Sequence, residues 1–464
     1  MTHHSPDLRQ DTTVRQLGRF VAKANHSTMS QEAREELKKR ILDTIGVAIG
    51  ALDGEPINMI RAHQEDFGGT PHCTFIGGGK SAPDRVAFYN GALSRYLDFM
   101  DSYLAKGETC HQSDNFGAVL AGAEYRNASG DELLSAMAVA YQVQGRLCDE
   151  APVRAKGFDH TVQGAYASAA GVARALGLDE EKTAMAIAIS GTCNNALRVT
   201  RTGALSHWKG LAYPQAGFVG CHAAFLAMRG ITGPEEVFEG NKGFKETIAG
   251  DFSIDWDRED LENVRKSIIK KYNAEIHSQS SIEGALELQA EKGFTWDQIE
   301  HIGIDIFDVA FHIIGGGEEG DKTIIRTKEE ADHSLQYMVG VALIDGNVLP
   351  AQYEGDRVTR DDIQSLLKRF TVRPKQEYTD RFPDEVCTDV KITLKDGSVH
   401  QITKTDYEGF NTRPMSWQTV EAKFTGLTEP LTSERTRKAI VDAVKNLEEL
   451  SARELAAILG NLNA

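Results

Sequence analysis

The chain has 464 residues, 41% of them apolar and 26% charged, with a formal net charge of −17. That is the make-up of a folded protein with more than one core, and it excludes a disordered chain. The acidic balance excludes a general nucleic-acid binder, which needs a basic face, and any site for an anion must gather its cations locally.

In chain order, Met1 to Asp7 carry no cationic stretch followed by an apolar one, so no secretory leader is expected. From about residue 12 to 265 the pattern predicts helix. Ser30 to Gly50 opens with hydroxyl and acidic residues suited to a first turn, then places Leu37, Ile41, Leu42, Ile45 and Val47 at helical spacing. Asp131 to Cys148 repeats this with Leu133, Leu134, Met137, Ala140 and Val143, while Gln163–Ala175 and Lys182–Ser190 are rich in small residues that let helices approach closely.

After about residue 270 the character changes. Ile302 to Ile306 alternates like a half-buried strand, and Val386 to Thr403 alternates around Asp396-Gly397, a hairpin turn signal. Helices are expected at Ser334–Leu343, Arg360–Arg369 and Ser433–Leu459. The expected fold class is therefore mainly α with an α+β part: a large all-helical domain over residues 1–265, an α+β domain over 266–400, and C-terminal helices in 401–464 that complete the first.

The six cysteines, Cys73, Cys110, Cys148, Cys193, Cys221 and Cys387, include no Cys-x-x-Cys pair, which removes the common zinc-ribbon and iron–sulfur spacings. No run approaches the roughly twenty apolar residues of a membrane span. The expectation is a reduced, cytoplasmic protein with no membrane partner. Gly315-Gly316-Gly317-Glu318-Glu319-Gly320 fits a bare dinucleotide pattern, but its glutamates repel phosphate and no βαβ unit surrounds it, so an exposed loop is expected. Gly77-Gly78-Gly79-Lys80-Ser81 lacks the first glycine of a phosphate loop and reads as a loop on the surface or over a site.

Chemistry concentrates in five segments. Tyr96-Leu97-Asp98-Phe99-Met100-Asp101-Ser102-Tyr103 runs on to Cys110-His111-Gln112-Ser113-Asp114-Asn115, a charged cluster between segments that read as buried helix. Such a cluster is costly unless paired or used. Gly157 to Thr161 holds Asp159 and His160; Asn194 to Gly210 holds Arg198, Arg201, His207 and Lys209; Lys270 to Ser280 holds Lys271 and His277; Asp332 to Val339 holds His333 and Tyr337. Taken singly, His207 and His333 read as structural and Lys270 as solvated. With no metal-ligand set, nucleophile triad or cofactor loop in the sequence, acid–base chemistry on an anionic substrate remains. Asp98 and Asp101, three apart, share a face if helical.

At these segments the chain resembles the MmgE/PrpD family, which includes 2-methylcitrate dehydratases, cis-aconitate decarboxylases and iminodisuccinate epimerases. The similarity extends from Leu42-Asp43-Thr44-Ile45-Gly46 to Asp396-Gly397. Its longest motifs are Tyr96–Asp101, His111–Asn115, Ala274–Gln279 and Asp332–Val339. Gln112 stands where the family usually has proline, Lys106–Cys110 replaces a Trp-containing stretch of bacterial dehydratases, and the Leu205–Gly210 segment looks more like other branches.

The resemblance implies a helical domain joined to a smaller α+β domain with the active site between them, a homodimer, a small tricarboxylate or dicarboxylate substrate, and no metal or organic cofactor. It implies pocket positions at Asp98, Asp101, His111, His160, Lys209, Lys271, His277 and Tyr337. The expected reaction is dehydration of 2-methylcitrate or a close tricarboxylate. In it His111, positioned by Asp98 or Asp101, transfers the proton, with Asp114 as the alternative base. Lys209, Lys271, His277, Ser113, Arg198 and Arg201 bind carboxylates, and Tyr337 or His160 assists departure of the hydroxyl. Decarboxylation, epimerisation and a non-catalytic anion-binding role are the rivals.

Overall fold

The structure, a computed structural model, describes residues 11–202, 206–318 and 320–462. Met1–Asp7, Leu205 and Glu319, on which expectations were placed, lie outside the described residues.

The first part is built of helices α1 (Thr13–Lys23), α2 (Gln31–Gly50), α3 (Glu55–Phe67), α4 (Pro83–Tyr96), α5 (Phe116–Arg126), α6 (Gly130–Glu150), α7 (Thr161–Leu176), α8 (Glu180–Cys193) and α9 (Trp208–Met228). Two short hairpins interrupt them: β1 (Cys73–Thr74) with β2 (Lys80–Ser81), and β3 (Tyr103–Ala105) with β4 (Glu108–Cys110). The starts are legible locally. Ser30 caps α2 by accepting from the Ala33 amide at 3.1 Å, and Ser129 and Glu132 form a capping box at α6. Small residues set the spacing: a Cβ on Gly117 of α5 would meet the Gly91 amide nitrogen of α4 at 2.6 Å. Helix does not continue to residue 265 as expected. It stops at Met228, because Gly230, Gly233 and Pro234 follow at once and only single turns occur before Gln279.

The second part holds α10 (Gln279–Lys292), β5 (Ile299–Ile306), the single turns α11 (Asp308–Ala310) and α12 (Lys328–Ala331), α13 (Leu335–Asp345), α14 (Asp361–Leu367), β6 (Phe370–Pro374), α15 (Gln376–Arg381), β7 (Thr388–Leu394) and β8 (Val399–Lys404). Its sheet has the order β6-β5-β7-β8, with β5 and β6 parallel and the other pairs antiparallel. β6 was not expected; it is an edge strand and ends in Pro374, which only an edge tolerates.

The chain finishes with α16 (Trp417–Thr428), α17 (Glu434–Lys445) and α18 (Ala452–Leu459). These return to the helical part: Phe424 of α16 lies so close to α2 that a Cβ on Gly46 would sit 3.0 Å from its ring. One apolar core gathers buried side chains from Val14 to Ile269 and from Met415 to Leu462; a second gathers those from Ile268 to Phe410. Among the described residues no helix is long and apolar enough to cross a membrane.

Candidate active site

A cleft of about 1230 Å³ opens between the two parts, and a narrow chamber at its floor shares with it Glu108, Thr109, Arg154, Arg198, Arg201, Ile313 and His333. The chamber wall adds Arg95, Asp98, His111, His160, Lys209, Lys270, Glu275, Ile276 and His277. Six cations therefore face three carboxylates in a protein that is acidic overall, the local concentration of positive charge that a multiply charged anion requires.

The wall begins where α4 ends. Arg95 is in its last turn, and the chain then leaves the helix through Asp98 at φ 53°, a left-handed conformation. Asp98 and Asp101 thus do not share a helix face; the turn sends them apart. Asp98 collects cations: Arg95 Nη1 at 2.7 Å, Lys270 Nζ at 3.3 Å and Lys209 Nζ at 3.7 Å, with Lys270 also donating to its carbonyl at 2.6 Å. Burial pushes the Asp98 carboxyl up, but Arg95, Lys270 and Lys209 outweigh it and hold the group well below its ordinary range. Lys209 Nζ also lies 3.5 Å from Asp332 and 3.1 Å from His333 Nδ1. Burial lowers its pKa against the pull of Asp332 and Asp98.

Asp101 is almost wholly buried and stands outside the chamber. Its Oδ1 accepts from the Ser113 amide and hydroxyl at 3.1 and 2.6 Å, and its Oδ2 from Tyr141 and Ser267 at 2.7 and 2.9 Å. Its carbonyl lies 2.6 Å from His111 Nδ1, and Ser102 Oγ is 3.1 Å from the same nitrogen. A carbonyl only accepts, so Nδ1 carries the proton and Nε2 keeps its lone pair. Burial first, then Arg95 and Lys270, push the His111 pKa well below the ordinary histidine value. His111 is therefore neutral near pH 7, with one nitrogen anchored and the other available as a base.

His160 lies edge-on to His111, ring centroids 5.6 Å apart, and neither of its nitrogens has a hydrogen-bond partner among the described residues. Burial outweighs Asp159 and lowers its pKa. Asp159 anchors the next part of the wall: Arg201 Nε reaches it at 2.5 Å and Arg198 Nη1 at 3.9 Å. Burial and then Arg154 lower Arg198 to about 10. His277 is held among the rings of Phe307 and Phe382, with no hydrogen-bond partner for either nitrogen among the described residues, and burial lowers it to about 3.

The chamber thus unites Asp98, His111, His160, Lys209, His277, Arg198 and Arg201. It does not include the other candidates. Ser113 is spent on Asp101. Lys271 points away and pairs with Glu283 and Glu408, each at 3.0 Å. Tyr337 is buried in the second core with its hydroxyl donating to the Gln352 carbonyl at 2.5 Å. Asp114 is buried with no hydrogen bond to either carboxyl oxygen among the described residues; burial raises its pKa to about 7 although Arg95 is 3.8 Å away. Lys270, expected in solvent, is 1% exposed. The reason is the extended backbone beside Ile268, which pairs with Ser102 and alternates its side chains, turning Lys270 inward and Lys271 outward.

Arg95, Lys270, Arg154, Glu108 and Glu275 were not anticipated in the wall. Arg95 carried one usable signal, its i,i+3 spacing to Asp98; Arg154 carried none. His333, read as structural, also faces the chamber. Among the described residues no group of three or more His, Cys, Asp and Glu is arranged to hold a metal ion. The chemistry available from these side chains is proton transfer beside a strongly bound carboxylate.

Comparison with known proteins bears on that chemistry. The family model described as the MmgE/PrpD N-terminal domain matches residues 15–257, and that for the C-terminal domain matches residues 272–449. A mitochondrial 2-methylcitrate dehydratase of Yarrowia lipolytica is 28% identical over 82% of this chain and 76% of its own. The 2-methylcitrate dehydratase of Escherichia coli is 28% identical over 82% and 83%. The cis-aconitate decarboxylase of Mus musculus is 26% identical over 92% and 88%.

Proposed function

Because the chain belongs to the MmgE/PrpD family, we propose that it is a dehydratase-like lyase whose substrate is 2-methylcitrate or a close hydroxy-tricarboxylate. The observation that carries this reading is the anchoring of His111 Nδ1 on the Asp101 carbonyl, which leaves Nε2 as a neutral base in a chamber crowded with cations.

The substrate's carboxylates are met by the guanidinium groups of Arg154, Arg198 and Arg201 and by the ammonium groups of Lys209 and Lys270. Two carboxylates held at fixed points present the carbon between them to His111. His111 Nε2 takes the proton from the carbon next to a carboxylate, and the negative charge that develops there is stabilised by the same cations without reorganisation. The hydroxyl on the neighbouring carbon departs as the double bond forms. Positioned proton transfer of this kind accounts for about 10²- to 10⁴-fold of rate. A homodimer belongs to the same proposal, and sedimentation of the purified protein tests it.

Decarboxylation of cis-aconitate is the second reading, favoured by the length of this chain that matches the mouse decarboxylase. It needs a proton delivered to carbon, not a departing hydroxyl. Proton NMR in heavy water with 2-methylcitrate, citrate and cis-aconitate, with a chelator present, separates the readings. Collapse of the methyl doublet of 2-methylcitrate into the singlet of a methyl group on an alkene carbon supports dehydration. Carbon dioxide release from cis-aconitate with 2-methylcitrate untouched replaces it by decarboxylation, and no turnover of any of the three rejects both.

A further inference from the structure

Dehydration leaves one proton unassigned: the hydroxyl leaves readily only as water, so a second group must protonate it. Arg95, Arg198, Arg201, Lys209 and Lys270 pair with carboxylates of the protein, Arg154 is a guanidinium that gives up no proton, and His111 is used as the base. Burial keeps His160 and His277 neutral. Of the two wall carboxyls that pair with no Lys or Arg among the described residues, Glu108 has both oxygens on the backbone amides of Thr109, Val153 and Arg154, which leaves Glu275. Glu275 lines the same chamber as His111. Its Oε2 accepts the His277 amide at 2.8 Å, capping the short turn Ile276–Ser278. Its Oε1 accepts no hydrogen bond among the described residues and lies 3.8 Å from His277 Nε2. Among the described residues no Lys or Arg forms an ion pair with it, in contrast to Asp98, Asp159 and Asp332 in and behind the same wall.

We propose that Glu275 is the general acid that protonates the departing hydroxyl. This rests on the dehydratase reading. In the step, His111 Nε2 accepts the C–H proton and the C–H electron pair becomes the π bond. The C–O bond breaks with its pair remaining on oxygen, and that oxygen takes the proton from Glu275 Oε1 and leaves as water. Glu275 ends as carboxylate and His111 as imidazolium, and transfer of one proton between them through solvent restores both.

The surroundings keep the proton available. Lys270, His277, His333, Asp98 and the buried Tyr407 are the titratable groups that face Glu275. Burial raises its pKa against the opposing pull of His333 and Lys270, with Asp98 adding to the rise. Capping alone does not account for the placement, because a cap requires only Oε2 and any hydrogen-bond acceptor serves there.

Glu275→Gln tests this, since the amide oxygen preserves the cap and the amide cannot give up a proton. The variant is assayed on 2-methylcitrate and on its analogue bearing fluoride in place of the departing hydroxyl, because fluoride leaves without protonation. The expected result is a loss of at least about 100-fold in kcat on the hydroxy acid, with fluoride release within about threefold of the wild type. Equal losses on both substrates make Glu275 a structural residue and overturn the proposal, as does an unchanged rate on the hydroxy acid. A wild-type protein that turns over neither compound defeats the dehydratase reading and this assignment with it.

Discussion

Asp101 orients His111 through its backbone and not through its carboxylate: the carbonyl accepts the Nδ1 proton at 2.6 Å, while both carboxylate oxygens are occupied by Ser113, Tyr141 and Ser267. The tautomer of the base is thus set by a group that does not titrate. His111→Ala is expected to lower kcat at least about 100-fold with little change in thermal stability. The same geometry fixes a pH limit. His111 must be neutral to act, and its pKa lies below the ordinary value of 6.5, so activity is retained as pH falls through 6.5 and is lost only further down. The acid limb of kcat/KM against pH checks this; a limb above 6.5 contradicts it.

Acid stability follows from His277. Its folded pKa of about 3 lies below the ordinary histidine value, so between the two the unfolded chain binds a proton that the folded one excludes. Its contribution is intact above pH 6.5 and is lost as pH falls toward 3, at up to about 1.4 kcal/mol per pH unit. Urea unfolding of wild type and His277→Phe at pH 7.5 and 5 measures the difference. The variant is expected to lose less stability over that interval.

Lys270 and Lys271 are neighbours in sequence and opposites in place. Lys270→Met removes a buried counter-charge from Asp98 and is expected to cut kcat/KM at least about 100-fold and to cost about 3 kcal/mol of stability. Lys271→Met breaks a half-exposed pair with Glu408 and one with the buried Glu283, which Lys404 and Arg413 still hold, so kcat/KM is expected to stay within about threefold and stability within about 1 kcal/mol. Steady-state kinetics and urea unfolding of the two variants side by side decide the matter, and a reversed order contradicts the placement.

Tyr337→Phe removes a hydroxyl whose proton goes to the Gln352 carbonyl inside the second core. It is expected to cost about 1 kcal/mol of stability and to leave kcat unchanged. A loss of kcat without a loss of stability would return Tyr337 to the site.

The fold was legible where a local signal stood alone. The Ser129–Glu132 capping box, the alternation from Ile302 to Ile306 and the Asp396-Gly397 hairpin each mark an element by short-range physics. β6 was not, because an edge strand that ends in proline carries little alternation and depends on pairing with β5, some seventy residues away, at Ile302 with Phe370. Of the residues that line the chamber, His111, His160, Lys209 and His277 stood out in the sequence because they interrupt apolar stretches. Arg95 was hidden within a helical pattern. Lys270 and Lys271 could not be told apart, since the choice between them is made by the strand-like pairing of Ile268 with Ser102. Tyr337 is the converse case: a polar tip on an otherwise apolar helix is as readily satisfied by a nearby carbonyl, here that of Gln352, as by a ligand.

One contact from the far end of the chain has a temporal consequence. Lys423 of α16 donates to the carbonyls of Phe99 and Lys270 at 2.8 and 2.9 Å, pairs with Asp43 of α2 at 2.7 Å and lies 3.8 Å from the centre of the Phe99 ring. Its ammonium group clamps the two backbone segments that carry Asp98 and Lys270. A nascent chain that has emerged from the ribosome only as far as the second core, which ends at Phe410, therefore still lacks a finished chamber. The wall is locked only once residue 423 has left the exit tunnel, so synthesis is nearly complete before the first proton is moved.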